Sequence, residues 1–222
     1  MGTPVALPTP PGVYTPQHDT GLIARALEHE RLDSGSAVLD LCTGSGALAV
    51  RAALRGARVT AVDISWRALA TAWCNALLAG QCITVRHGDL VSAVPGRRYD
   101  LVVSNPPYVP APAPNPPSRG SARAWDAGPD GRVFVDRICD STSGVLHRGG
   151  VLLLVHSALC GTAPTLDRLA ATGLDAAVVD RATVPFGPVL RERRSWLHSR
   201  GMLRDRHEDQ EELVVVRAVR RH

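Results

Sequence analysis

The sequence predicts one α/β domain built on a doubly wound, mostly parallel seven-stranded sheet. Three observations carry that prediction. Nearly solid apolar runs such as "SAVLDLC" (36–42) and "GVLLLVH" (150–156) alternate with segments of helix length. Strands that read as apolar throughout, rather than in alternation, are those buried on both faces. The first such run opens into a glycine-containing turn, the usual entry to a helix in this architecture. The 222 residues suffice for one well-buried domain, and no internal repeat or second domain is visible.

The elements follow in order. Residues 1–16 are proline-rich and read as an irregular N-terminal arm ahead of a domain over 17–222. Asp19 and Thr20 offer caps for a helix running to about Glu30, with Leu22, Ile23, Ala26 and Leu27 on one face. After the strand at 36–42 come a helix over roughly 46–55 and the strand "ARVTAVD" (57–63). Ser65 caps the next helix, which Gly80 ends. "CITVRHGD" (82–89) and "YDLVVSN" (99–105) are two further strands. A helix from Asp130 or Gly131 to about His147 precedes the strand at 150–156, and another over about 164–171 ends at Gly173. "LDAAVVDR" (174–181) and "ELVVVRAV" (212–219) complete the sheet. The long connection 183–211 reads as an insertion before the last strand, with a helix over about 188–200, placed over the active-site side.

Composition excludes several function classes. All 25 basic residues are arginine, so Schiff-base chemistry, a P-loop lysine and a Tyr–Lys dehydrogenase pair are ruled out. Five cysteines lack metal-ligand spacing and read as reduced thiols; no metal is expected. No run approaches the ~18 apolar residues of a membrane span. "MGTPVALPTPPG" shows no basic start followed by an apolar core, and Ala6 stands where myristoylation wants Ser or Thr. A cytoplasmic location is therefore expected. The net charge of +4 is modest. Arg191, Arg193, Arg194 and the other C-terminal arginines suit an acidic partner or RNA as well as a solvated surface.

In an open α/β sheet, ligands bind outside the carboxyl ends of the strands. The first strand ends "DLCTGSGAL": Gly44 and Gly46 permit a tight turn and close backbone approach, and the following helix N-terminus favours negative charge. The second ends at Asp63, 23 residues after Asp40. An acid there suits a ribose diol, or serves as a simple helix cap. The third ends "HGDL", where Asp89 accepts from an adenine amine or closes a turn. The fourth ends "NPPY". These signals fall in order at successive strand ends, where one nucleoside-containing ligand can touch them all. "GSGALA" (44–49) also fits a dinucleotide fingerprint, but a dehydrogenase needs a proton donor where this chain has Asn-Pro-Pro-Tyr.

On these residues the chain resembles a class I S-adenosylmethionine-dependent methyltransferase. Within that group it is similar to the HemK-type protein N5-glutamine methyltransferases, in the short branch without the N-terminal helical domain. The pieces are "VYTPQHDT" (13–20), "DLCTGSGAL" (40–48), "AVDIS" (61–65), "HGDL" (87–90), "NPPYVP" (105–110) and "WDAGPDGRVFVDR" (125–137). The resemblance implies a Rossmann-like methyltransferase fold and S-adenosylmethionine as cofactor. It implies that Thr20 and Asp40 lie near the methionine end, that the backbone at Cys42, Gly44 and Gly46 lines the cofactor, and that Asp63 with Ile64 holds the ribose. Asp89 and Leu90 then frame the adenine, Asn105 faces the transferable methyl, and Trp125 borders the substrate channel. Two features depart from the family pattern: Cys42 stands where its loop usually has a first glycine, and 183–211 is long.

The resemblance also gives "NPPY" a role. An amide nitrogen is a poor nucleophile because its lone pair is delocalised, so the enzyme must orient it. The Asn105 side-chain oxygen and the Pro106 main-chain oxygen each accept one N–H of the target. Pro106 and Pro107 stiffen the backbone, and Tyr108 packs against the planar amide. The implied substrate is a protein glutamine, such as that of a translation release factor, with a small activator subunit in some relatives. An exocyclic amine of RNA or DNA is the alternative substrate, a small-molecule amine the third, and a non-catalytic binding module the rival of another class.

Overall fold

The computed structural model describes residues 8–221; the first seven residues of the expected N-terminal arm lie outside the described residues. The strands are β1 (Ala37–Leu41), β2 (Arg58–Asp63), β3 (Thr84–His87), β4 (Tyr99–Ser104), β5 (Leu146–Ser157), β6 (Leu174–Pro185) and β7 (Gln210–Arg220). They form one sheet in the order β3-β2-β1-β4-β5-β7-β6. The pairs from β3 to β5 are parallel, and β7 runs antiparallel to both β5 and β6. The expected mostly parallel, doubly wound sheet is what the chain adopts.

Two helical layers cover it: α1 (His18–Glu28), α2 (Ala47–Leu54) and α3 (Trp66–Leu78) pack beside one another, and α4 (Val133–Thr142) packs on α5 (Thr162–Ala171). Between them β1, β4 and β5 are buried almost throughout, which is why their sequences are apolar on both faces. β6, at the sheet edge, alternates half-buried and exposed positions instead. The winding reverses direction between β1 and β4, so their carboxyl ends open a crevice.

Several boundaries differ from the sequence expectation, each for a local reason. Asp19 and Thr20 do not cap α1; the helix begins at His18 with Gln17 at its cap, and both side chains turn inward to other partners. Ser65 does cap α3, accepting from the Ala68 N–H. α4 starts at Val133 and stops at Thr142: Asp130 accepts from the Arg132 N–H before the helix, and a short 3-10 turn follows it. β6 and β7 pair along their whole lengths, leaving 186–209 as their connection. That connection contains α6 (Pro188–Ser199).

The arm does not stand apart from the domain. The Pro8 carbonyl accepts from Asn75 and the Pro11 carbonyl from Arg67, both on α3. A second small core, Phe186, Leu190, Leu197 and Leu203, seats α6 against Val109 and Leu159.

Candidate active site

A cavity of about 390 Å³ lies at the crevice over the carboxyl ends of β1, β2 and β4. Thr20, Cys42, Gly44, Asp63, Ile64, Asp89, Leu90, Asn105, Pro106, Pro107, Tyr108 and Trp125 all line it. The structure thus brings together residues from six separate stretches of chain. Asp40 and Gly46 are the exceptions: they lie behind the loop. Gly46 has φ 80°, and a Cβ there would sit 2.8 Å from Ala72 Cα. Its glycine is needed for α2 to approach α3, not for a ligand.

Asp40 is buried, and its Oδ2 accepts from the Thr43 hydroxyl at 2.6 Å and the Ala49 N–H at 3.1 Å. It holds the glycine loop from beneath. Burial pushes its carboxyl up to about 7, outweighing those two bonds, and Oδ1 has no partner. Glu211, buried at the start of β7, is likewise pushed up to about 7 by burial. Both groups stay protonated in the fold at a pH where the unfolded chain has lost the proton. The stability they contribute is therefore full below the usual carboxylate range and is lost as pH rises towards about 7. The urea midpoint should fall between pH 5 and 7 more steeply in the wild type than in Asp40→Asn. Parallel slopes would show that Asp40 is ionised in the fold.

The loop itself is built to receive a ligand. Gly44 has φ 54°, a left-handed conformation that favours glycine, and a Cβ there would only touch Tyr14 at van der Waals distance, 3.9 Å away. Cys42 has φ 59° and Leu90 φ 51°; they are the left-handed non-glycine residues of the described chain, and both line the cavity. That conformation costs a side-chain-bearing residue about 1–2 kcal/mol, and such strain concentrates at functional sites. It also gives a physical reason for the glycine that the resemblance leads one to expect in place of Cys42. Asp63 accepts from the Gly44 N–H through Oδ2 (3.0 Å) and the Ser65 N–H through Oδ1 (2.8 Å). Each oxygen keeps a lone pair for a further donor. Burial raises its carboxyl above the usual range despite these bonds. Asp89 is ion-paired through Oδ2 with Arg137 of α4 at 2.6 Å, so one oxygen is engaged and the other open.

A hub of hydrogen bonds stands under "NPPY". Asn105 Nδ2 donates to the Thr20 hydroxyl at 3.2 Å, and that hydroxyl donates to Asp19 Oδ1 at 3.2 Å. The Tyr14 and Tyr108 hydroxyls both donate to Asp19 Oδ2, at 2.7 and 3.0 Å. With its nitrogen engaged, Asn105 turns its oxygen the other way. The Tyr108 hydroxyl is anchored beneath the loop, and burial holds both phenols well above their usual titration range. The sequence marks Asp19 only as a helix cap and gives Tyr14 no role; the pattern "VYTPQHDT" contains both, but only packing shows that they converge.

The backbone after Asn105 is also accounted for. The Val109 N–H donates to the Trp125 carbonyl (2.7 Å), the Ala127 N–H to Val109 (3.0 Å), and the Ala111 N–H to Gly128 (2.9 Å). The Cys160 thiol donates to the Tyr108 carbonyl, and a Cβ on Gly131 would collide with that carbonyl. Arg193 was expected among surface arginines. It points inward instead, donating to the Pro110 carbonyl at 2.9 Å and to Asp126 at 2.6 Å.

The sheet order with its antiparallel β7 and the strand-end cavity define an α/β methyltransferase. The methyltransferase small domain model matches residues 5–174, and the chain belongs to that family. It is 31% identical over 177 residues to a Methanocaldococcus jannaschii protein named "Putative protein N5-glutamine methyltransferase", covering 79% of this chain and 88% of that one. A release factor glutamine methyltransferase of Moorella thermoacetica is 39% identical over 154 residues, covering 65% of this chain and 54% of that protein. The chain thus spans about half the length of that bacterial relative. Among solved structures it is similar to the E. cuniculi Mtq2–Trm112 complex responsible for methylation of the termination factor eRF1. The TM-score is 0.63, at 22% identity over 94% of this chain and 99% of that one. The T. thermophilus 16S rRNA N2 G1207 methyltransferase, solved with AdoMet and guanosine, gives 0.60 at 19% identity over 93% and 44%. Among the described residues no helix is long and apolar enough to cross a membrane, and no cluster of three metal-ligating side chains occurs.

Proposed function

We propose that the chain transfers a methyl group from S-adenosylmethionine to the side-chain amide nitrogen of a protein glutamine, in a translation release factor carrying a Gly-Gly-Gln loop. The observation that carries this is the orientation of Asn105, whose nitrogen is tied to Thr20 while its oxygen is left for an incoming N–H. The cavity fits the cofactor. Gly44 puts no side chain between the loop backbone and the cavity it lines, Asp63 offers an oxygen on each side for a diol, and Asp89 offers one oxygen near Leu90. When bound, S-adenosylmethionine supplies an electrophilic methyl group.

The chain's own residues do the rest. Asn105 Oδ1 and the Pro106 carbonyl accept the two N–H groups of the target amide. This would turn its lone pair towards the methyl and stabilise the positive charge growing on nitrogen; as the new N–C bond forms and the donor's S–C bond breaks, one of these N–H protons is lost to solvent and the methylated amide is left neutral. The two prolines hold that carbonyl in place beforehand. Tyr108, locked through its hydroxyl to Asp19, packs against the acceptor and excludes water. Asn105 is neutral and so puts no carboxylate beside a cationic donor.

Incubation with methyl-labelled S-adenosylmethionine and a release factor tests the reading, alongside the factor with its loop Gln replaced by Ala, and ribosomal RNA. Label confined to the intact factor supports it; label in RNA moves the substrate to an exocyclic amine. Asp63→Ala should weaken S-adenosylhomocysteine binding by about 1.5–3 kcal/mol, the range for hydrogen bonds to a charged group. Calorimetry on the folded variant checks this, and unchanged affinity would make Asp63 a purely structural anchor of the loop.

A small activator subunit and a cytoplasmic location belong to the same proposal. Trp66, stacked on His87, and Trp73, Leu77 and Leu78 leave an exposed apolar face on α3 beside the edge strand β3, which supports such a subunit. Full turnover by the purified chain alone would remove the need for it.

A further inference from the structure

The segment 186–209 lies beyond the end of the family match at residue 174, yet it is built into the acceptor side of the site. α6 is seated by its own core of Phe186, Leu190, Leu197 and Leu203, and Val109 packs against that core. From this helix a single Arg193 nitrogen reaches two acceptors, the Pro110 carbonyl and Asp126 Oδ1. The two side chains of that ion pair are 20% and 12% exposed, so solvent screens it little.

The two acceptors belong to different segments. Pro110 follows the "NPPY" turn, and Asp126 follows Trp125. These segments run side by side as a short parallel bridge, Val109 to Asp126, and Val109 and Trp125 both line the cavity. The bridge is held by the bonds from Val109 to Trp125, from Ala127 to Val109 and from Ala111 to Gly128. From α6, Arg193 ties the two segments of the bridge to one another through Pro110 and Asp126. No cofactor-side residue of the cavity takes part in this contact; Gly44, Asp63 and Asp89 hang on β1, β2 and β3 instead.

We propose that Arg193 is a positioning residue for the methyl acceptor: by clamping Pro110 to Asp126 it fixes the wall of Val109 and Trp125 against which the acceptor segment is held. α6 thereby sets acceptor selection without touching the cofactor. The identity of the acceptor rests on the release-factor reading above; the clamp itself does not.

Three variants and three readouts test it. In Arg193→Ala, amide hydrogen exchange at Val109, Ala111 and Ala127 should accelerate roughly tenfold or more, while amides of β1 and β4 keep wild-type rates. The kcat/KM for a release factor should fall on the order of tenfold to a hundredfold, as for a displaced near-attack geometry. Affinity for S-adenosylhomocysteine should stay within about twofold. Arg193→Lys, whose ammonium can satisfy one acceptor at a time, should recover part of both losses. Asp126→Asn keeps the shape and weakens the clamp, and it carries the test if Arg193→Ala does not fold.

Unchanged exchange at the three amides overturns the clamp. Faster exchange with unchanged acceptor kinetics overturns the positioning role. An equal loss of cofactor affinity would also overturn it, since the effect would then be general. If the wild type leaves the release factor unlabelled, the substrate reading fails. The exchange experiment still decides the clamp, and the kinetic comparison moves to whichever acceptor takes the label.

Discussion

Asn105→Ala is expected to bind S-adenosylhomocysteine within about threefold of wild type while transferring methyl groups at least about a hundredfold more slowly. The asymmetry follows from where the side chain acts. Its oxygen meets an N–H that grows more acidic as positive charge develops on nitrogen, so the bond strengthens on the way to the transition state and is weak before it. Its nitrogen bonds Thr20, which Asp19 also holds, and not the glycine loop or Asp63, so most of the cofactor side keeps its arrangement. Asn105→Asp sharpens the test. It keeps the size and one acceptor oxygen but adds a negative charge beside a cationic donor. For an amide acceptor, turnover should be poor with cofactor binding equal or tighter. A highly active Asp variant would favour an exocyclic amine as substrate. Full activity in the Ala variant would sink the catalytic role and leave "NPPY" as a rigid way to end β4.

Asp19→Ala should be the most destabilising single change at the site, by about 3–5 kcal/mol, measured by urea denaturation. Asp19 is 3% exposed and accepts from two phenols and from the Thr20 hydroxyl and N–H. Deleting it leaves buried donors without an acceptor, each costing about 1–3 kcal/mol. Part of this is offset, because a buried carboxylate with no cation beside it is itself costly. Asp19→Asn keeps one acceptor oxygen and should lose less, about 1–2 kcal/mol. Both variants free Thr20 and Tyr108, so turnover should fall even where the fold persists. A stability change under about 1 kcal/mol in the Ala variant would mean that the phenols find other partners.

Much of this protein was legible in the sequence, because the features concerned are local. Short apolar runs such as "VLDL" and "LLLV", bounded by turn residues, read as strands covered on both faces, and their alternation with helices points to a parallel sheet. Once the sheet is wound that way, the carboxyl ends of β1 to β4 must meet. The placement of Asp63, Asp89 and Asn105 around one cavity follows from counting along the chain. Proline and glycine punctuation did the same for "NPPY" and for Gly80.

Other features were decided only by the tertiary structure. Asp40 and Gly46 sit within the same short motif as Gly44, yet they face away from the cavity, because the handedness of one turn selects which side each residue shows. Asp19 reads as a helix cap until Tyr14 and Tyr108 arrive from either side of it, the second 89 residues away. Arg193 is one arginine among many in a mixed-charge stretch, and its partner Asp126 is 67 residues distant. β6 and β7 lengthened beyond their apolar runs because each supplies the other's backbone hydrogen bonds along an edge where side chains are half exposed. Periodicity and turn chemistry act over a few residues and are written in the sequence. The partner of a buried polar side chain depends on which segments pack together, and that is settled only when the whole chain has folded.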